Sequence, residues 1–256
     1  MRNVINEKRY LQWDACYNTR DLGGLPTSHD RQTALGFVVR SDVLRRLTTV
    51  GLQQALDYGV NAVIDLRARE QVAEDPYDLA LLADSQPAPA YFNLPFIDFS
   101  QVDHAIFEAA QDLTEEYCLM LDHCRPQVGA IVQRIAMNTS GTTVIHCSAG
   151  KDRAGLITVL LLALAGVPSE VIAADYAESE ARLWPLYHKL VAAAGDDPVK
   201  VAKLPPPPTS PPARVHAVLA HLAATYGDVE AYLLQCGVKP ETIEDLRMRL
   251  LGSVEC

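Results

Sequence analysis

The segment Val144-Ile145-His146-Cys147-Ser148-Ala149-Gly150-Lys151-Asp152-Arg153-Ala154-Gly155 places an imidazole, a thiol, an ammonium, a carboxylate and a guanidinium close together in the chain. The β-branched run Gly141–His146 before it predicts a buried strand. The apolar stretch after it predicts a helix from Ala154 to Ala165. A strand that delivers a cysteine to a tight loop, with a helix N-terminus just beyond, lets successive backbone N–H groups curl around one point. The small residues Ser148, Ala149 and Gly150 allow that backbone to approach an anion closely. Such a nest suits a tetrahedral dianion such as phosphate, and it favours thiolate over thiol. Arg153 closes the ring with a planar fork that can hold two oxygens of the same anion. The rival reading makes Cys147 a merely buried thiol, since free cysteine is among the most buried residue types. His146 and Arg153 at this spacing argue against it.

The elements that must position this loop can be read on either side of it. Gly36–Arg40 and Val60–Leu66 read as short buried strands, and Tyr91–Pro95 as another, cut off by its proline. Thr49 is placed to cap a helix ending at Gly59, and Ser41 or Asp42 to cap a brief turn. Helical spacing runs from Thr114 to Asn138, and Pro126 predicts a break or two helices there. Gly166 ends the helix after the loop, and Pro168 suits the first turn of the next. Gly227 and Asp228 separate two further helices, and Pro240 opens a last one to Leu251. Strands alternating with helices predict an α/β fold: a mainly parallel central sheet flanked by helices, with a helical elaboration in the C-terminal half. Residues 1–256 are read as a single domain. Within it, the proline-rich stretch at 183–213, centred on Leu204–Pro212, is a stiff connector or a lid of extended polyproline geometry.

Composition bounds the rest. The 256 residues carry 22 basic and 32 acidic side chains, a net charge of −10, and are 49% hydrophobic, which is ample to build a core and excludes disorder as the main state. Net acidity disfavours broad nucleic-acid or anionic-membrane binding, both of which need a positive field. The first residues lack the apolar core of a secretory signal, and the longest apolar run, Leu156–Val167, falls short of the roughly 20 residues a span needs. Integral membrane contact is therefore not expected and cytoplasm is the default, although export by an unconventional route leaves no mark in a sequence. Cys16, Cys118, Cys124, Cys147, Cys236 and Cys256 are widely and irregularly spaced, which reads as free thiols. His123 with Cys118 and Cys124 matches no structural zinc spacing, so no metal and no organic cofactor is expected.

The Cys-x5-Arg loop resembles that of the cysteine-dependent protein tyrosine phosphatase superfamily. A longer ordered set narrows the resemblance: Asn18-Thr19-Arg20-Asp21-Leu22-Gly23-Gly24, Arg40-Ser41-Asp42, Val63–Arg67, Leu94-Pro95-Phe96, the loop itself, Asp175-Tyr176 and Tyr226-Gly227. Together these are similar to the bacterial tyrosine/lipid phosphatase family, which includes secreted mycobacterial and Listeria enzymes. The resemblance implies a tyrosine-phosphatase-like fold and a cysteinyl-phosphate mechanism. Cys147 would be the nucleophile, and Arg153 with the loop from Ser148 through Ala149, Gly150, Lys151 and Ala154 would hold the phosphate. His146 would help keep the sulfur ionised. Asp152 in the loop and Asp98 after Leu94–Ile97 are the two candidates for proton transfer, with Asp152 preferred and Asp98 assisting or orienting water. Lys151 is similar in position to a lysine of phosphoinositide phosphatases. The expected substrates are therefore phosphotyrosine, with phosphoserine/threonine and lipid or inositol phosphates open. One departure stands out: many relatives carry Ser or Thr after the arginine, and here the residue is Ala154, which predicts slow hydrolysis of the intermediate.

Blander readings stand beside these. Arg67 follows a buried strand at the sheet edge where ligands bind, so it is read as a substrate contact, with an ordinary salt bridge as the alternative. Arg20-Asp21 either braces the Gly23-Gly24 turn or reaches the phosphate loop. Arg45 and Arg46 read as a solvated face, and His216, His221 and Trp184 as packing residues. Three other functions use the same loop. A non-catalytic phosphate-binding module would bind without turnover. An arsenate reductase or sulfurtransferase would release little phosphate. A redox sensor would exploit an easily oxidised thiolate. Sequence leaves the oligomeric state open.

Overall fold

The period-2 pattern of the central strands decides the layering, because alternate side chains leave the sheet on opposite faces. In the computed structural model, which describes residues 6–28, 30–76 and 88–252, five strands pair in the order β1-β2-β5-β3-β4. They are β1 (Arg20–Asp21), β2 (Val38–Ser41), β3 (Val60–Asp65), β4 (Ala90–Asn93) and β5 (Thr142–His146). β2, β5, β3 and β4 run parallel, and only the short edge strand β1 is antiparallel. Val39, Val63 and Val144 enter one apolar cluster with Trp13, Leu44, Leu47 and Ala55. Their neighbours Val38, Ile64 and Ile145 enter the larger cluster on the other face. Burial on both faces is what a mainly parallel sheet requires.

The helices are α1 (Thr49–Asp57), α2 (Arg69–Glu74), α3 (Ala105–Glu108), α4 (Leu113–His123), α5 (Arg125–Met137), α6 (Arg153–Leu164), α7 (Ser169–Ala194), α8 (Pro198–Val201), α9 (Pro212–Tyr226), α10 (Val229–Gln235) and α11 (Pro240–Leu251). Pro126 sits in the first turn of α5, so the predicted break falls at Cys124, between α4 and α5. Gly166, Asp228 and Pro240 punctuate the chain where the sequence places them. The cap of α1 is Thr48, whose hydroxyl accepts from the Gly51 amide, one residue before the predicted Thr49. The turn after β2 has no side-chain cap; Asp42 instead accepts from the Tyr17 and Asn18 amides. α6 buries ten of its twelve residues, which explains why it lacks the one-sided stripe of a surface helix. α7 runs 26 residues straight through Pro185, longer than its punctuation predicts. Cys16, Cys118, Cys124, Cys147 and Cys236 are free; Cys256 lies outside the described residues. Among the described residues, no helix is long and apolar enough to cross a membrane.

Candidate active site

The loop Cys147–Arg153 joins the C-terminal end of β5 to α6, at the sheet end where parallel α/β folds bind ligands. Every carbonyl from Cys147 to Asp152 has a partner. His146 Nδ1 lies 3.2 Å from the Cys147 carbonyl, the Val43 amide donates to Ser148, and Asn18 Nδ2 donates to Ala149 at 3.0 Å. Arg40 Nη2 donates to Gly150 at 2.6 Å and to Lys151 at 3.3 Å, and the Leu156 amide closes the helix on Asp152. By contrast, among the described residues the amides of Ser148 to Arg153 donate to no protein acceptor. Gly150 has φ +66°, and a Cβ there would overlap the Ser41 carbonyl, so only glycine lets the loop lie this close to β2.

Beneath the loop, three buried arginines meet one buried carboxylate. Arg9, Arg20 Nε (2.9 Å) and Arg40 Nη1 (2.9 Å) all reach Asp175, and Glu178 joins from the edge. Against the upward push of burial, Arg20, Arg9 and Arg40 hold Asp175 well below the ordinary carboxylate range. Burial and then Arg20 push Arg40 down to about 10, so it keeps its charge at neutral pH; Cys147 is among the groups that push it back up. Three guanidiniums against Asp175 and the edge carboxylate of Glu178 leave positive charge on the scaffold side of the thiol. Arg20 does not touch the loop. It holds Asn18 Oδ1 at 2.6 Å and Asp175, and these hold the loop directly or through Arg40. Asp21 braces the turn, accepting from the amides of Gly23 and Gly36 and from Tyr58.

Cys147 is 1% exposed. His146 is fully buried, and its Nε2 lies 3.7 Å from Asp65 Oδ2 with no hydrogen bond of its own. Burial pushes His146 below its ordinary value, against the pull of Asp65. Arg67, read as a substrate contact, is 2% exposed and occupied by Asp65 (2.7 Å) and Asp75 (3.5 Å). The structure does not bring it into the pocket.

An open pocket of about 710 Å³ meets the loop at Lys151, Asp152 and Arg153, with Ile97, Phe99, Leu113 and Met120 among its apolar walls, while Cys147, Ser148, Ala149 and Gly150 lie outside its lining. Arg153 Nη1 donates to Gln71 Oε1 at 2.7 Å and Nη2 to Ser148 Oγ at 3.3 Å. Gln71 was not foreseen, although glutamine at the third position of α2 is a capping signal, and its Oε1 also accepts from the Ala68 amide. Asp98, between the lining residues Ile97 and Phe99 but not itself in the lining, is tied to the Ser100 hydroxyl (2.6 Å), the Ser100 amide and Gln101, with Arg69 3.8 Å away. The Ser100 hydroxyl and amide hold it below the usual carboxylate value. The proline segment does more than connect helices: Pro206 lines the pocket, and the Thr209 carbonyl accepts from Lys151 Nζ at 3.0 Å. Ala154 is buried and offers no hydroxyl. Among the described residues, no three His, Cys, Asp or Glu side chains converge as a metal ion would require.

A cysteine loop at the end of the central strand β5 suits an oxyanion, and comparison with known proteins gives the class of enzyme. A family model described as the tyrosine phosphatase family matches residues 11–252. The chain is 34% identical over 224 residues to a tyrosine-protein phosphatase of Nostoc commune, covering 83% of this chain and 73% of that protein. It is 28% identical over 275 residues to a protein of Mycobacterium tuberculosis named triple specificity protein phosphatase PtpB, covering 92% and 97%. The chain belongs to the tyrosine phosphatase family and is a phosphatase.

Proposed function

We propose that Cys147 thiolate attacks the phosphorus of a bound phosphate monoester in line, releasing the alcohol and forming a cysteinyl-phosphate, which water hydrolyses to thiolate and inorganic phosphate. The observation that carries this reading is the loop whose carbonyls are all fastened while its amides meet no acceptor. Those amides and the Arg153 fork stabilise the equatorial oxygens as charge redistributes. Asp152 gives its proton to the leaving oxygen and later takes one from water. It lines the pocket, whereas Asp98 does not and is held by Ser100 and Gln101 in its ionised form, assisting or orienting water. The apolar walls receive an aromatic ring, which makes phosphotyrosine the foremost substrate, ahead of phosphoserine/threonine and phosphoinositides. Lys151, bound to Thr209, adds charge to the same phosphate site rather than to a second one.

A panel of phosphotyrosine peptide, phosphothreonine peptide and phosphoinositide vesicles, with Cys147→Ser as the blank, tests this. Phosphotyrosine should give the highest kcat/KM and the blank none. Phosphate release that survives Cys147→Ser would overturn the mechanism. Full turnover and an unchanged pH profile in Asp152→Asn, with both lost in Asp98→Asn, would reverse the order of the two acids.

A further inference from the structure

A carboxyl group that protonates a leaving oxygen must present one particular oxygen, and the surroundings of Asp152 distinguish its two. The Tyr117 hydroxyl from α4 reaches Asp152 Oδ1. Behind it, 3.0 Å away, lies the Tyr176 hydroxyl from α7, which accepts from Arg214 Nη1 of α9 at 2.8 Å. Arginine only donates, so Tyr176 accepts from it and turns its own proton toward Tyr117. Tyr117 then turns its proton toward the carboxylate. Arg214 and Lys151 both donate to the Thr209 carbonyl, at 3.3 and 3.0 Å, and Lys151 Nζ lies 3.4 Å from Asp152 Oδ1. A ring of groups from five chain segments thus closes on Oδ1. Among the described residues, Oδ2 has no partner, and the Asp152 side chain is 34% exposed, in the pocket.

We propose that Tyr117 is the positioning residue of Asp152, saturating Oδ1 so that Oδ2 is the oxygen that carries the proton to the leaving group. This rests on the reading of Asp152 as the acid. Tyr117 is 2% exposed, and burial, then Asp152, push it well above the ordinary phenol value, so it stays a donor at working pH. The charged and titratable groups facing Asp152 are Lys151 and Arg153 beside it, Glu116 and Tyr117 from α4, Tyr176 from α7 and Arg214 from α9. Of these, Tyr117 makes the hydrogen bond.

Tyr117→Phe keeps the ring and removes one hydroxyl. General acid catalysis matters most where the departing oxygen is most basic, so the loss depends on the ester. Relative to wild type, kcat/KM should fall about tenfold on phenyl phosphate and phosphotyrosine, and less than about twofold on p-nitrophenyl phosphate. Asp152→Asn should show the same pattern more strongly, and the double variant should lose no more than Asp152→Asn. Tyr176→Phe, one step removed, should show a weaker version, and it carries the test if Tyr117→Phe does not fold. Equal losses on all esters, or none, in both tyrosine variants would overturn the positioning role. Losses independent of the ester in Asp152→Asn would instead overturn the acid assignment on which it rests.

Discussion

At Ala154 a methyl group stands where hydrolysis of the phosphocysteine would profit from a hydroxyl beside the departing sulfur. Thr158 donates its hydroxyl to the Ala154 carbonyl at 2.8 Å, and the Ser148 oxygen, at the other end of the loop, accepts from Arg153. Breakdown of the intermediate should therefore be the slow step. Stopped-flow hydrolysis of p-nitrophenyl phosphate should show a burst equal to the enzyme present. Ala154→Ser should raise kcat several-fold, on the order of the smaller single-group effects in catalysis, and leave kcat/KM unchanged. A linear trace with no phospho-enzyme by mass spectrometry would refute this. The loop residues were legible because their chemistry is local: thiol, small residues and guanidinium lie within one turn of chain. Arg67 was half legible: of its two readings the salt bridge holds, because Asp65 and Asp75 both reach it once β3 and α2 are in place.

Among the elements, punctuation was the readable part. Prolines 126 and 240, Gly166 and the Gly227-Asp228 pair act through backbone geometry and need no distant partner. The contacts that hold the loop in shape were hidden, since Arg9, Arg20 and Arg40 find Asp175 across 135 to 166 residues. The Thr209–Lys151 bond spans 58. No periodicity reports such pairings. They imply that α7 supports the Gly150 side of the loop through the Asp175 carboxylate. Asp175→Asn leaves Arg20 and Arg40 buried without their counter-charge and Arg9 with Glu178 alone, and should cost about 3–5 kcal/mol. Urea unfolding measures the loss. A change below about 1 kcal/mol would show that the cluster relaxes around a neutral amide.

For the whole molecule, these buried groups set how stability responds to acid. His146 resists protonation in the fold, whereas in the unfolded chain it binds a proton below about pH 6.5, so stability falls as pH drops through that value. The loss approaches about 1.4 kcal/mol per pH unit. Asp175 acts lower: its contribution is complete above about pH 4 and disappears as pH falls toward its depressed native value. The His146 ring resonances should therefore titrate with a midpoint below 6.5 in NMR. The decline in unfolding free energy between pH 7 and 5 should flatten in His146→Asn. A His146 that titrates near 6.5 would remove the effect.

The dependence of the loop on Asp175 also orders events during synthesis. A growing chain acquires Cys147 and Arg153 well before residue 175 emerges, but Arg40 has no anion to fix it against Gly150 until then. Cys147 is translated first and the support of its loop is assembled afterwards, so a chain interrupted between the two would carry the thiol without the buried charges that lie beneath it.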